Sequence, residues 1–481
     1  MHHYIPPHPP RMPEAPSALR RLLLARQNFL AMWEEGAFET DFAEIRVLAR
    51  HCFLCNSPES VQFAFSLKNA SFERKSPQMR HALEPLLGDG LFVSDGDTWR
   101  MRRRIVAPIV HVSRLSAYAP HMVETATEFC DRWKQQEGET IDVLSEGAEL
   151  TAEVLCRALF GRQLGRQYAH EIVKGFTEYQ DQIDRIDLIA MLGLPDWLPR
   201  YRSAVLRTAV RRMHAILDEI ITSCAARAGG KDQSVISRLL EAKDEETGAP
   251  LSREAVRNEV AVIFMAGHET TANSLAWTWF LLSQAFEVEA KFHAELDAVL
   301  GGRAPILDDV PQLVYTRAIY EEALRLYPPV PLLPRESLRE EVFQGTRIPK
   351  GSLVFVVPWL LHRHKNLWEK PDAFIPGRFL GDNAARISKF QYIPFSIGPR
   401  ICAGMSFGLT EAILCLATLG QRLRLRLKPG TDVQPMCRLS LRPAGGLPMM
   451  VEPRAGLGHP IAALASGQTA SGSGHPMRHA T

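Results

Sequence analysis

Between about residues 100 and 330, apolar side chains return every three or four positions over stretches far longer than a strand, and this constrains the fold more than any other feature. Met122–Gln136, Glu149–Phe160, Tyr201–Ala228 and Ser252–Phe286 read as helices. Strand-like alternation is confined to short, scattered pieces: Glu44–Cys55, Val342–Pro358 with a turn at Pro349-Lys350-Gly351, and a late hairpin over Arg438–Val451 turning at Ala444-Gly445-Gly446. Short strands around a helical body imply a mainly α fold with a small β region (α+β). Residues 1–39 read as an N-terminal extension, proline-rich at its start, and residues 40–455 as a single domain. Residues 456–481, rich in Gly, Ala, Ser and His, cannot bury enough apolar surface to order and are expected to form a disordered tail.

With 481 residues, 46% of them hydrophobic, the chain can bury a large core. Lys plus Arg number 56 against 54 Asp plus Glu, a net charge of +2, so bulk charge gives no reason to expect a nucleic-acid partner. The eight cysteines lie mostly in apolar runs, as free thiols of a reducing cytoplasm do. Cys52 and Cys55 have CxxC spacing but no second pair or histidine cluster beside them, and read as core packing. Arg20-Arg21-Leu22-Leu23-Leu24 soon meets charges and is neither signal peptide nor membrane anchor. Val260–Leu282 is long enough to span a bilayer. His268, Glu269 and Asn273 interrupt it, and an ionisable group at that depth costs about 2.5 to 3.5 kcal/mol, so a buried helix of a soluble domain is the better reading.

The decapeptide Phe395-Ser396-Ile397-Gly398-Pro399-Arg400-Ile401-Cys402-Ala403-Gly404 sets one cysteine among glycines, a proline and an arginine, just ahead of a helical stretch. A soft thiolate in such a loop suits iron. Gly398 and Gly404 permit tight turns and close approach of a flat macrocycle, and amide N–H groups aimed at the sulfur would tune its electron donation. A lone cysteine is ordinarily a buried structural thiol. Five fixed positions together, Phe395, Gly398, Arg400, Cys402 and Gly404, favour a ligand loop.

This decapeptide resembles the haem-binding loop of the cytochromes P-450, the cysteine-thiolate haem monooxygenases, and further motifs follow in that family's order over residues 40 to 453. The resemblance implies the triangular, mainly helical cytochrome P-450 fold, heme b (iron protoporphyrin IX) as cofactor and Cys402 as the metal ligand. Glu322-Ala323-Leu324-Arg325 places a carboxylate and a guanidinium on one helix face, a pair worth only about 0.2–0.5 kcal/mol in isolation. Followed by Pro328-Pro329 and Phe374-Ile375-Pro376-Gly377-Arg378-Phe379, it resembles the family's buried Glu-Arg-Arg network, with Arg378 as third member, holding the cysteine loop in place.

Ala266-Gly267-His268-Glu269-Thr270-Thr271 interrupts the apolar helix with an acid and two hydroxyls, where a surface-facing polar stripe is the plain alternative. Val260, Phe264, Gly267, Thr271 and Leu275 share one helix face with Thr270 at its edge, and Gly267 would let the helix lie close over a haem. By the resemblance, Thr270 hydrogen-bonds bound oxygen or its neighbouring water, and Glu269 helps to bring protons. Trp99-Arg100-Met101-Arg102-Arg103-Arg104 opens an amphipathic helix. A basic surface patch is the plain reading; the resemblance assigns Trp99, Arg103, Arg335 and Arg400 to the haem propionates, and leaves Arg100, Arg102 and Arg104 as a cationic face for an acidic electron-transfer protein.

The reaction so implied takes a lipophilic substrate RH, O2, two electrons and two protons to ROH and water. The stretch after Cys402 is too short for a flavin reductase, so electrons are expected from a ferredoxin or flavodoxin and its NAD(P)H reductase. A peroxide-driven peroxygenase and a haem-thiolate isomerase or dehydratase are the enzymatic rivals, and a haem sensor or carrier is the non-enzymatic one; none of them needs Glu269 and Thr270 together. Gly88–Val93, Ile189–Leu198 and Val330–Leu333 are the expected walls of an apolar substrate pocket.

Overall fold

The structure, a computed structural model, describes residues 3–47, 50–182, 202–226, 234–437 and 439–454. Among them the longer helices are α1 (Ala18–Gln27), α2 (Pro77–Leu87), α3 (Gly96–Ile109), α4 (Leu115–Lys134), α5 (Val143–Phe160), α6 (Arg162–Asp181), α7 (Ala204–Ala225), α8 (Arg253–Gln284), α9 (Phe286–Leu300), α10 (Val314–Leu326) and α11 (Met405–Gly420). The periodic segments of the sequence thus become α4, α5, α7 and α8. The segment Ile189–Leu198 and the tail 456–481 lie outside the described residues.

The 32-residue α8 runs through the middle of the molecule. Ser252 caps it, its Oγ accepting from the Ala255 N–H at 3.1 Å. Apolar residues occupy nearly every side of it, and a helix with no polar face must be surrounded by protein. Its hydroxyls bond backward along the helix: Thr270 to the Ala266 carbonyl, Ser274 to that of Thr270 and Thr278 to that of Ser274, each at 2.7 Å. Gly267 lets α5 approach, because a Cβ there would come within 2.8 Å of the Leu155 side chain.

Strands β1 (Phe42–Val47), β2 (Arg50–Cys55), β3 (Arg74–Lys75), β5 (Leu333–Glu336) and β8 (Leu353–Val356) make one sheet in the order β1-β2-β8-β5-β3. What reads as one strand-like piece, Glu44–Cys55, is thus the hairpin β1–β2. In this sheet Lys75 is directly opposite Arg335. A second sheet orders β4 (Thr140–Asp142), β12 (Pro448–Pro453) and β9 (Leu423–Leu427), and β6 (Glu341–Phe343) pairs with β7 (Thr346–Ile348). The expected late hairpin is corrected: β10 (Pro435–Cys437) pairs with β11 (Leu441–Pro443), so the chain reverses before Leu441. The Gly445-Gly446 turn instead sends β12 to another sheet, where it pairs with β4 and β9.

The proline-rich start packs against the body. The Tyr327 hydroxyl donates to the Pro7 carbonyl at 2.7 Å, the Phe374 N–H donates to that of Tyr4 at 2.9 Å, and Arg11 pairs with Asp372 at 2.5 Å. No helix among the described residues is long and apolar enough to cross a membrane.

Candidate active site

Cys402 lies in a loop whose shape is set by its own backbone. Its N–H donates to the Phe395 carbonyl at 2.9 Å, and the Ile401 N–H to that of Gly398 at 3.0 Å. Gly398 has φ +72°, and a Cβ there would collide with the Phe65 carbonyl, so both conformation and space require glycine. Two residues beyond Cys402, Gly404 is the N-cap of α11, and its N–H reaches the cysteine sulfur. Cys402 is exposed and borders a cavity of about 750 Å³, and Phe395, Arg400 and Gly404 border that cavity with it. Burial pushes the thiol pKa up, while the Gly404 N–H and the Arg103 guanidinium pull it down.

Four cations gather at one edge. Lys75, Arg103 and Arg400 border the cavity, and Arg335 is buried next to Lys75 in the sheet. Arg400 lies over the Trp99 ring, 4.5 Å from its centroid, and donates to the Ser94 carbonyl at 2.8 Å, but its buried Nε has no partner. Burial, and then Arg400, lower the Arg335 pKa to about 9. Arg400 itself is lowered to about 10, chiefly by burial. Lys75 is driven well below the ordinary lysine range by burial, then by Arg335 and Arg400. Like charges opposite one another on a sheet repel, so this cluster calls for anions, and the two carboxylates of a haem supply them. Among the described residues no group of three or more His, Cys, Asp or Glu could hold a metal ion by itself. A lone thiol fits a metal that arrives with its own macrocycle. The donor set and the cations therefore fit haem.

On α8, Ala266, Glu269 and Thr270 border the same cavity. The Glu269 carboxylate accepts from Gln180 Nε2 and from Ser440 Oγ, both at 2.6 Å. The reason given for Gly267 needs correction: it borders the cavity, but the space that its missing side chain leaves is filled by Leu155. Away from the cavity, Glu322, Arg325 and Arg378 come together. Glu322 and Arg325 are both wholly buried and make a two-pronged pair at 2.7 and 2.8 Å, and Arg378 Nε is 3.4 Å from Glu322. Arg325 also donates to the carbonyls of His362, Pro371 and Ala373 at 2.7 to 3.0 Å.

The cationic face expected at Arg100, Arg102 and Arg104 does not form. Arg100 pairs with Glu73 and Asp97, and Arg104 with Asp244 and Glu246. Arg102 is buried, with Asp89 at 2.9 Å and Glu259 at 3.5 Å. Sequence reasoning also missed Lys75, Glu259, Gln180 and Glu411. Glu411 is buried on α11 and borders the cavity, and burial alone holds its carboxyl well above the ordinary range. Of the expected walls, Leu91, Phe92 and Val330 to Leu333 do line the cavity.

A helical body with a small sheet, and a cavity framed by one cysteine loop, a cluster of cations and an acid–alcohol pair, define a haem-thiolate enzyme. A profile of the Cytochrome P450 family matches residues 6–448, and the chain belongs to that family. It is 37% identical over 448 residues to the cyclooctatin synthase of Streptomyces melanosporofaciens, covering 91% of this chain and 94% of that one. It is 33% identical over 414 residues to the cyclooctat-9-en-7-ol 5-monooxygenase of the same organism, covering 86% and 88%. The pentalenene oxygenase of Streptomyces avermitilis is 28% identical over 399 residues, with 82% and 86% covered. Among solved structures, the haem domain of cytochrome P450DA matches with a TM-score of 0.76 at 26% identity, covering 93% of this chain and 96% of that one. The protein is a haem-containing P450 monooxygenase of triangular, mainly helical fold.

Proposed function

We propose that this monooxygenase hydroxylates or epoxidises a cyclic terpenoid in the cavity above Cys402. The observation that carries this reading is the Cys402 loop opening on an apolar cavity, with four cations at one edge and Glu269 and Thr270 of α8 on the same space. Names given to three relatives, built on cyclooctatin, cyclooctat-9-en-7-ol and pentalenene, supply the substrate class.

Haem held by the Cys402 thiolate supplies activation of O2, so that RH, O2, two electrons and two protons give ROH and water. The chain's own residues do the rest. Trp99, Lys75, Arg103, Arg335 and Arg400 are the residues that would hold the propionates. Phe395, Gly398 and Gly404 shape the loop, and the Gly404 N–H and the N-terminus of α11 stabilise negative charge on the sulfur. The Glu322–Arg325–Arg378 network ties α10 to the segments that precede the loop. Thr270 spends its proton on the Ala266 carbonyl, which leaves oxygen lone pairs to accept from a water in the cavity. Glu269, steadied by Gln180 and Ser440, holds a carboxylate one residue away, through which protons pass from the α6 side. Electrons come from a separate ferredoxin or flavodoxin with its NAD(P)H reductase, in a cytoplasm where cysteines stay free, as the eight here are.

The test is the carbon-monoxide difference spectrum of the dithionite-reduced protein, wild type against Cys402→Ser, followed by turnover of cyclic terpene hydrocarbons and alcohols under isotopically labelled O2. The reading requires the Soret band that names the family in wild type alone, and products carrying one labelled oxygen atom. A haem-loaded wild type without that band removes Cys402 as ligand; the band without turnover of any cyclic terpenoid removes the substrate class.

A further inference from the structure

We infer that Glu259 is a positioning residue that sets one wall of the substrate cavity by holding the Leu91–Phe92 backbone against α8. Burying a carboxyl is costly. Glu259 has no exposed surface, in a helix turn where leucine would bury freely, so its carboxyl must be compensated by what it touches. What it touches is a loop. The Leu91 N–H points at both carboxyl oxygens, 3.0 and 3.2 Å away, and this amide belongs to the segment between α2 and α3 whose Leu91 and Phe92 side chains border the cavity.

The same segment is fastened on either side. Asp89 accepts from Asn258 Nδ2 at 3.0 Å and from Arg102 Nη2 at 2.9 Å, and Arg102 Nε is 3.5 Å from Glu259. At Gly90 a Cβ would come within 2.7 Å of Val262, so the backbone itself lies on α8. The ring of Phe92 rests on Lys75, whose Nζ is 4.5 Å from its centroid. Glu259 thus fixes where Leu91 and Phe92 stand relative to α8 on one side and to the cation cluster on the other. It stands ten residues, about three turns, before Glu269, so it shapes the wall without taking part in proton movement.

The inference rests on the cavity being the place where substrate binds. The roles of neighbouring groups choose the variants. Glu259→Leu removes the acceptor at similar volume, whereas Glu259→Gln keeps a carbonyl for the Leu91 amide. Both are titrated, as haem-loaded full-length protein, with imidazole, too small to reach the wall, and with clotrimazole, large enough to press on it, each read by the Soret shift. Glu259→Leu is expected to change the clotrimazole Kd about fivefold or more, the change that one hydrogen bond of ordinary net strength supports, with imidazole unmoved. Glu259→Gln is expected to restore wild-type binding of both. Equal shifts for both azoles, or none for either, would overturn the inference.

Amide hydrogen exchange of the wild type gives a second reading that survives a Glu259→Leu chain that does not fold. A Leu91 amide as slow as its α8 neighbours supports the inference, and one exchanging like an open loop overturns it. A wild type that titrates with both azoles yet oxidises no cyclic terpenoid would sink the substrate reading and leave this one standing.

Discussion

Arg325→Ala is the perturbation whose size the structure states most directly. The side chain is wholly buried and makes two contacts to the equally buried Glu322 and three to carbonyl oxygens of the His362–Ala373 stretch. Truncation leaves the Glu322 carboxylate with the Ile375 N–H at 2.9 Å and the Arg378 Nε at 3.4 Å. Stranding a buried charge costs roughly 3 to 5 kcal/mol, and each carbonyl that loses its donor adds about 1 kcal/mol or more. The loss is therefore on the order of 6 kcal/mol, comparable to the whole stability of many domains. The expected outcome is haem-free, largely insoluble protein on expression. Arg325→Lys keeps the charge but cannot serve the same planar fork of contacts, and should fall between. Haem per chain and the urea midpoint measure the effect. An Arg325→Ala protein with normal haem content and a midpoint loss under about 1 kcal/mol would refute the reasoning, because a group so placed cannot be lost so cheaply.

Three further outcomes follow from the site. Arg400→Leu and Arg103→Leu should each speed haem transfer to apomyoglobin by about tenfold or more, since a hydrogen bond to a charged group is worth roughly 1.5 to 3 kcal/mol; unchanged transfer in both would remove them from the propionates. Thr270→Val, which keeps the shape and deletes the hydroxyl, should lower product formed per O2 consumed by about tenfold or more while leaving substrate binding intact, the low side of what a positioned proton-handling group contributes; full coupling would dismiss the hydroxyl. For Glu259, burial outweighs Arg102 and raises the carboxyl pKa from 4.5 to about 8. Between those values the folded chain keeps a proton that the unfolded chain has released, so this group's contribution is fully present below 4.5 and is lost as pH rises through about 8, at up to about 1.4 kcal/mol per pH unit. Urea midpoints across that range should fall with pH in wild type and flatten in Glu259→Gln; parallel profiles would show that Glu259 is ionised in the fold.

How much of this was legible in the sequence depended on whether the determinant was local. The Cys402 loop was legible because Gly398, Arg400 and Gly404 act within one decapeptide, and α8 because thirty-odd residues repeat one pattern. Glu322 and Arg325 stand a turn apart on one helix, but Arg378 could be joined to them only through the family's pattern. Lys75 was invisible because what makes it part of the site is its register opposite Arg335, and that register is a property of the folded sheet. The late hairpin was misplaced for a similar reason: the Gly445-Gly446 turn is real, yet β12 pairs with β4, about three hundred residues earlier, and with β9, about twenty-five residues earlier.

Arg102 is the instructive error, because the signal was there. In the run Arg100 to Arg104 a basic surface is the easy reading, but Arg102 stands three, four and seven residues before Ile105, Val106 and Ile109, and all three are buried. Helical geometry puts those four side chains on one face. A guanidinium on the apolar face of a helix cannot remain unpaired, so an acid had to lie inside the molecule opposite α3. Long helices offer few such acids, and Glu259, just ahead of the apolar run Val260–Met265 of α8, answers it together with Asp89. The Arg102 guanidinium and the Glu259 carboxyl, each out of place in its own helix, thus predict one another, and their meeting point is the loop that walls the cavity.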